Sequence, residues 1–214
     1  MNAPLQMDFV TSAAELHQLP ASRAEIAVMG RSNVGKSSLL NALAQRKRLA
    51  NVSGKPGRTQ LLNCFSAGEG VTIVDLPGYG YASTASARTR AGWRRRMERY
   101  VLEREELRLA LLLIDGEVGP TKLDLEMLAW LRRHAVPFQL VATKHDKVRS
   151  SKRQRRKREL AERCAVDPRE VLWTSVEKQV GIDRLRELVR AVLDLDRQDD
   201  EETGRSRGPS PAGE

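Results

Sequence analysis

Eight consecutive residues, Gly30-Arg31-Ser32-Asn33-Val34-Gly35-Lys36-Ser37, constrain this chain more than any other stretch. They complete a GxxxxGK[ST] pattern directly after the apolar run Ile26-Ala27-Val28-Met29 and before the helical Ser38-Leu39-Leu40-Asn41-Ala42-Leu43. Glycines at the two fixed positions let the backbone wrap closely around phosphate oxygens, with successive N–H groups turned inward as an anion nest. A helix starting near Lys36 adds its positive dipole end. Lys36 is then expected to reach the β- and γ-phosphates of a nucleotide, and the Ser37 hydroxyl to ligate Mg²⁺.

The surrounding pattern says what kind of fold carries that loop. Apolar runs at 26–29, 61–65, 71–74, 109–114, 138–142 and 171–173 are separated, for the most part, by helical patterns at 37–45, 89–107, 123–134, 151–164 and 182–193. Such alternation predicts an α/β fold with a mostly parallel central sheet and helices on both faces. The runs at 61–65 and 71–74 are joined only by Ser66-Ala67-Gly68-Glu69-Gly70. That is too short for a crossover, so an antiparallel hairpin at the sheet edge is expected. Phe9-Val10-Thr11 is a further short strand candidate within an N-terminal extension, 1–22. Residues 23–195 then form one domain, and the Asp/Glu-, Gly- and Pro-rich stretch 196–214 is expected to be disordered.

Composition narrows the partners. No apolar stretch approaches the roughly 20 residues that cross a bilayer, the start lacks a secretory layout, and no amphipathic anchor or lipidation signal is evident. Cys64 and Cys164 have no metal spacing and read as reduced structural thiols of a cytoplasmic protein. The formal charge of +9 is concentrated. Residues 149–158 hold seven Lys/Arg and no acid, 85–108 hold eight arginines against four glutamates, and 194–202 hold six acids. A basic body of this kind points to a polyanionic partner.

In open α/β sheets ligands bind beyond the carboxyl ends of the strands, and here those turns carry the chemical motifs. After 71–74 comes Asp75-Leu76-Pro77-Gly78, a DxxG lying 39 residues beyond Lys36. Asp75 can hold the hydration shell of Mg²⁺, and Gly78 can offer its N–H to a γ-phosphate. After 138–142 comes Thr143-Lys144-His145-Asp146, a variant [NT]KxD box. The Asp146 carboxylate can accept from guanine N1–H and the exocyclic amine, donors that adenine lacks on that edge. A site built on such bonds discriminates by factors on the order of 10⁴. The Lys144 stem is expected to cover the base, and His145 to face solvent. After 171–173 comes Thr174-Ser175-Val176, where the Ser175 N–H is expected to meet guanine O6. Between the phosphate loop and DxxG, Gly54-Lys55-Pro56-Gly57-Arg58-Thr59-Gln60 offers Thr59 as a second hydroxyl on Mg²⁺ that closes with the γ-phosphate.

With these boxes in order the chain resembles the EngB (YihA) family of bacterial ribosome-biogenesis G proteins, among the TrmE-Era-EngA-EngB-septin-like P-loop GTPases. The resemblance spans about 9–195 and rests on GRSNVGKSSLLNAL, PGRTQ, DLPGYGYA, TKHD and the GID after the Thr174-Ser175 turn. Asp115-Gly116-Glu117-Val118 departs from it, where members tend to carry basic residues after the aspartate. The resemblance implies a G domain that binds GTP and GDP with Mg²⁺ and hydrolyses GTP slowly. It also implies a role in large ribosomal subunit assembly and a link to septation and cell division. On that basis the nucleotide contacts are the eight loop residues with Ser38; Gly57, Arg58, Thr59, Gln60 and Leu61; Asp75, Leu76, Pro77 and Gly78; and Thr143, Lys144, Asp146, Thr174, Ser175 and Val176. Lys36, Thr59 and Gly78 are the catalytic candidates.

Three further expectations follow. Many G proteins place a glutamine directly after the DxxG glycine; Tyr79 stands there, so intrinsic hydrolysis should be weak. Asn33 occupies a loop position that helps ligate K⁺ in related G proteins. On the helix after DxxG, Arg88, Arg95 and Arg99 form a basic stripe, which Arg153 and Arg156 in the 149–158 run would extend toward rRNA phosphates. A monomer without stable membrane association is expected. The rival readings are a P-loop kinase or ATPase, against which TKHD argues, and a septation protein that binds GTP without a ribosomal role.

Overall fold

The computed structural model describes residues 3–50, 61–79 and 87–195, with seven strands in one sheet. In chain order the elements are β1 (Asp8–Ala13), β2 (Ala24–Gly30), α1 (Lys36–Leu43), β3 (Leu62–Ser66), β4 (Val71–Asp75), α2 (Ala87–Glu103), β5 (Leu107–Asp115), α3 (Lys122–Arg133), β6 (Phe138–Thr143), α4 (Arg153–Cys164), β7 (Leu172–Trp173) and α5 (Ile182–Leu193). The strand order is β1-β3-β4-β2-β5-β6-β7.

β2, β4, β5, β6 and β7 run parallel, and β3 pairs antiparallel with β4 through the expected hairpin. The hairpin does not itself form the edge, because β1 adds outside β3. Leu5 and Met7 are buried beside α1, and the Leu5 N–H donates to Leu43 O at 3.0 Å. The N-terminal stretch expected as an extension is therefore part of the packed domain.

Every residue of β2 is buried, as a central parallel strand covered on both faces requires. Its period-two alternation feeds two cores. Ile26 and Val28 meet Leu39, Leu40 and Leu43 of α1 and Leu185 and Val189 of α5. Ala27 and Met29 belong to the cluster that includes Met97 and Tyr100 of α2, Leu128 and Leu131 of α3, and Leu160 of α4. β2 hands the chain to β4 on one side while β5 pairs on the other, so its carboxyl end is the topological switch point.

The helix expected over 89–107 stops at Glu103, and Leu107 begins β5. The cause is a buried anchor. Glu25, fully buried at the start of β2, accepts from Tyr100 Oη (2.6 Å), Arg104 Nε (3.1 Å) and Thr72 Oγ1 (2.7 Å). Arg104 is drawn back against the sheet, and the Leu107 N–H closes a turn onto Arg104 O at 3.1 Å.

Candidate nucleotide site

The phosphate loop leaves β2 at Gly30 and enters α1 at Lys36. Gly35 has φ +109°, a conformation that side-chain-bearing residues rarely adopt, and Asn33 sits at φ +64°, which asparagine tolerates. The loop is braced from below. Val34 is buried, and its carbonyl accepts from Thr143 Oγ1 at 2.7 Å, so the first residue of the TKHD box holds the loop's shape.

Asp75 closes β4 beside it. Lys36 Nζ lies 3.9 Å from Asp75 Oδ1, both side chains being nearly buried. Desolvation pushes the Asp75 carboxyl up to about 6, with Lys36 pulling it down. Asp75 Oδ1 is a buried oxygen without a hydrogen-bond partner. Among the described residues no group of three or more His, Cys, Asp or Glu could hold a metal ion. One buried carboxylate oxygen, a serine hydroxyl at a helix start and a phosphate cradle suit Mg²⁺, which keeps several waters and takes few protein ligands.

DxxG lies directly on the phosphate loop. The Ser32 N–H donates to Tyr79 O at 3.0 Å, Ser32 Oγ to Gly78 O at 3.3 Å, and the Tyr79 N–H to Gly30 O at 3.3 Å. A Cβ on Gly78 would stand 2.8 Å from Ser32 N, so only glycine permits this approach. Tyr79 is buried, with its hydroxyl 2.9 Å from Asp124 Oδ1.

On the base side, β6 ends at Thr143, and Lys144, at φ +55°, opens the short turn His145–Lys147. Asp146 Oδ1 accepts from Ser175 Oγ at 2.6 Å. That bond, more than any other influence, holds the Asp146 carboxyl below its ordinary value and so keeps it ionised. Here two expectations are corrected. The Ser175 N–H donates to Val180 O at 2.9 Å, closing its own turn, and is not free to meet guanine O6. His145 does not face solvent: it is half-buried, edge-on to Trp173 with ring centroids 5.5 Å apart. Burial, with Lys157 and Arg153, lowers its pKa.

Lys144 is held by a partner that sequence reasoning missed. Its Nζ donates to Asp115 Oδ2 at 2.7 Å, while Asp115 Oδ1 accepts from the N–H groups of Glu117 and Val118 at 3.0 and 3.1 Å. The Asp-Gly at the carboxyl end of β5, Asp115-Gly116, was the available signal. Gly116 abuts the Thr143 carbonyl and Trp173 too closely for any Cβ, which locks that turn beneath the base loop.

Gly57, Arg58, Thr59 and Gln60 lie outside the described residues, as does the side chain of Arg88. Leu61 is exposed at the edge of that stretch. Arg95 and Arg99 are exposed on α2, but Arg99 is paired with Glu103 (2.8 Å) and Glu15 (3.5 Å). Arg153 Nε donates to Val148 O, and Arg156 Nη1 lies 3.7 Å from Glu159. The helices that carry these arginines, α2 and α4, pack on the same face of the sheet, with α3.

A phosphate loop at the switch point, DxxG on the neighbouring strand and a base box on β6 define a P-loop GTPase domain. Residues 25–144 match the family model described as a 50S ribosome-binding GTPase. The chain is 45% identical over 184 residues to a probable GTP-binding protein EngB of Pelotomaculum thermopropionicum, covering 85% of this chain and 92% of that one. It is 42% identical over 189 residues to the Citrifermentans bemidjiense counterpart, covering 88% of each. This chain belongs to the EngB family of GTP-binding proteins, and it is a GTPase. Among solved structures, that of a probable GTP-binding protein engB superposes with a TM-score of 0.65 at 24% identity, covering 80% of this chain and 99% of that one. A structure of Era with MgGDPNP and a 16S ribosomal RNA fragment gives 0.60 at 21% identity, covering 89% and 59%, and shares the fold.

Proposed function

We propose that this protein is a cytoplasmic, monomeric GTP-driven switch that acts on the large ribosomal subunit during its assembly, with hydrolysis as its timer. One observation carries the reading. DxxG is seated on the phosphate loop and leads, nine residues beyond Gly78, into a helix bearing exposed arginine. A γ-phosphate contact at Gly78 would thereby be felt at a surface suited to rRNA phosphates. The family model's description and the RNA-bound Era relative support the ribosomal partner. In co-sedimentation with purified subunits, the large subunit should be retained with a non-hydrolysable GTP analogue and released with GDP. Retention should fall steeply with salt and on charge removal at Arg95 or Arg156. Equal retention in both nucleotide states would contradict the proposal.

Within the site, Lys36 and the loop amides bind the phosphates, and Ser37, Thr59 and water on Asp75 would hold Mg²⁺. The ion supplies charge neutralisation on the phosphate oxygens when bound. The orphaned Asp75 oxygen supports that role. Asp146 reads guanine, with Ser175 acting through its hydroxyl. Asp146→Asn should move preference from GTP toward xanthosine triphosphate; indifference to the change would refute it. Tyr79, with its hydroxyl turned to Asp124, supports weak intrinsic hydrolysis, and single-turnover rates of several per second without a partner would contradict that. Asn33 is the K⁺ candidate; equal rates in K⁺ and Na⁺ buffers would remove it.

A further inference from the structure

Asp124, on the first turn of α3, is 1% exposed yet belongs to no motif. Its Oδ2 accepts from Thr121 N at 2.8 Å and Thr121 Oγ1 at 2.7 Å, which is the capping box of α3. The remaining partners do nothing for that helix. Tyr79 Oη donates to Asp124 Oδ1 at 2.9 Å, and Arg31 Nε stands 3.5 Å from Asp124 Oδ2. Of the about four acceptor positions a carboxylate offers, three are filled by these hydrogen bonds, and Arg31 adds a charge contact. Arg31 Nε is buried without a hydrogen-bond partner, so the nearby carboxylate is what offsets its charge. Arg31 is the second residue of the phosphate loop and Tyr79 the residue after DxxG, and the two pair side by side as a parallel bridge.

We infer that Asp124 is a positioning residue. Through Tyr79 and Arg31 it latches the DxxG segment onto the phosphate loop and so sets where the Gly78 N–H stands relative to a γ-phosphate. The aromatic ring is the lever. Its hydroxyl is fixed by Asp124 on α3, while its main chain is pinned to the loop on both sides, by Gly30 O and by Ser32 N. Gly78, one residue earlier, is thereby pressed against Ser32 with no room for a side chain. Burial and Asp124 together raise the Tyr79 pKa well above its ordinary value, so the hydroxyl stays a donor across the working range. A nucleoside diphosphate ends at the loop and makes no contact that depends on Gly78; a triphosphate does. The latch therefore contributes to one nucleotide state and not the other, which is the condition for shifting a two-state equilibrium. This rests on the proposed role of Gly78 as a γ-phosphate donor.

Tyr79→Phe removes one oxygen and keeps the ring, so it tests the latch with little risk to folding. With Mg²⁺ present, the affinity of a non-hydrolysable GTP analogue should fall about five- to tenfold, the scale of one ordinary intramolecular hydrogen bond. GDP affinity should stay within about twofold of the wild type. Asp124→Asn should shift the same ratio in the same direction. Thr121→Ala breaks the other half of the Asp124 cluster; it should lower thermal stability and leave the ratio alone. The latch is overturned if Tyr79→Phe leaves the ratio at the wild-type value or moves it toward the analogue. It is equally overturned if Thr121→Ala shifts the ratio as far as Tyr79→Phe, because the effect would then belong to α3 at large. A wild type that binds guanine nucleotides no better than ATP would instead sink the proposed function, and the latch with it.

Discussion

Glu25 and Asp75 are buried carboxylates on neighbouring parallel strands, one at the start of β2 and the other at the end of β4. Glu25 is saturated, with tyrosine, arginine and threonine donors on its two oxygens. Asp75 has one ammonium 3.9 Å away and an oxygen with no hydrogen bond at all. Burying an ionised group is costly unless its partners compensate. Glu25 has those partners within the protein and acts as scaffold, fixing the far end of α2. Asp75 does not, and its raised pKa records the deficit. That shortfall is what the proposed Mg²⁺ role of Asp75 would make good.

The largest way to break this contrast is at the saturated group. Glu25→Gln removes the buried carboxylate of Arg104, leaving it only the more exposed Glu106 at 3.5 Å, and should cost about 3 kcal/mol of stability in denaturant titrations. The folded fraction should keep its guanine specificity. Asp75→Asn should do the reverse. Removing the desolvated charge should leave the nucleotide-free protein as stable as before or more so by about 1 kcal/mol, while the gain in triphosphate affinity on adding Mg²⁺ falls at least about tenfold. A loss of stability equal to that of Glu25→Gln would erase the distinction. Thr143→Val removes the brace under Val34 and should cost about 1 kcal/mol with a few-fold loss in GDP affinity.

The smallest effect lies at the base. The Ser175 hydroxyl holds Asp146 below its ordinary pKa, and the proposed guanine contact requires the ionised carboxylate. Binding is therefore retained above the depressed value and lost as pH falls through it. Ser175→Ala should move that acid limb to higher pH, measurable as GDP affinity against pH. An unmoved limb would mean the hydroxyl does not tune Asp146.

The elements were legible because each announces itself locally. The phosphate loop, DxxG and TKHD each follow an apolar run of strand length, and α5 spans the same residues that its apolar periodicity predicts. What stayed hidden depends on contacts remote in sequence. The Tyr79 to Asp124 bond joins residues 45 apart, and Tyr100 to Glu25 joins residues 75 apart. Thr121-x-x-Asp124 could be read as a helix start, but nothing local says that its carboxylate also faces a switch tyrosine. Ser175 shows the same limit at one residue. Its position at the base loop was legible, whereas the choice between its amide and its hydroxyl was set by Val180 folding back on it.

The most direct test of the whole account is calorimetric titration of the purified protein with Mg²⁺ and non-hydrolysable analogues of GTP and ATP. The account predicts preference for the guanosine form by a factor on the order of 10³ or more, from carboxylate hydrogen bonds that adenine cannot supply. Uptake of the adenosine form with equal affinity would contradict it.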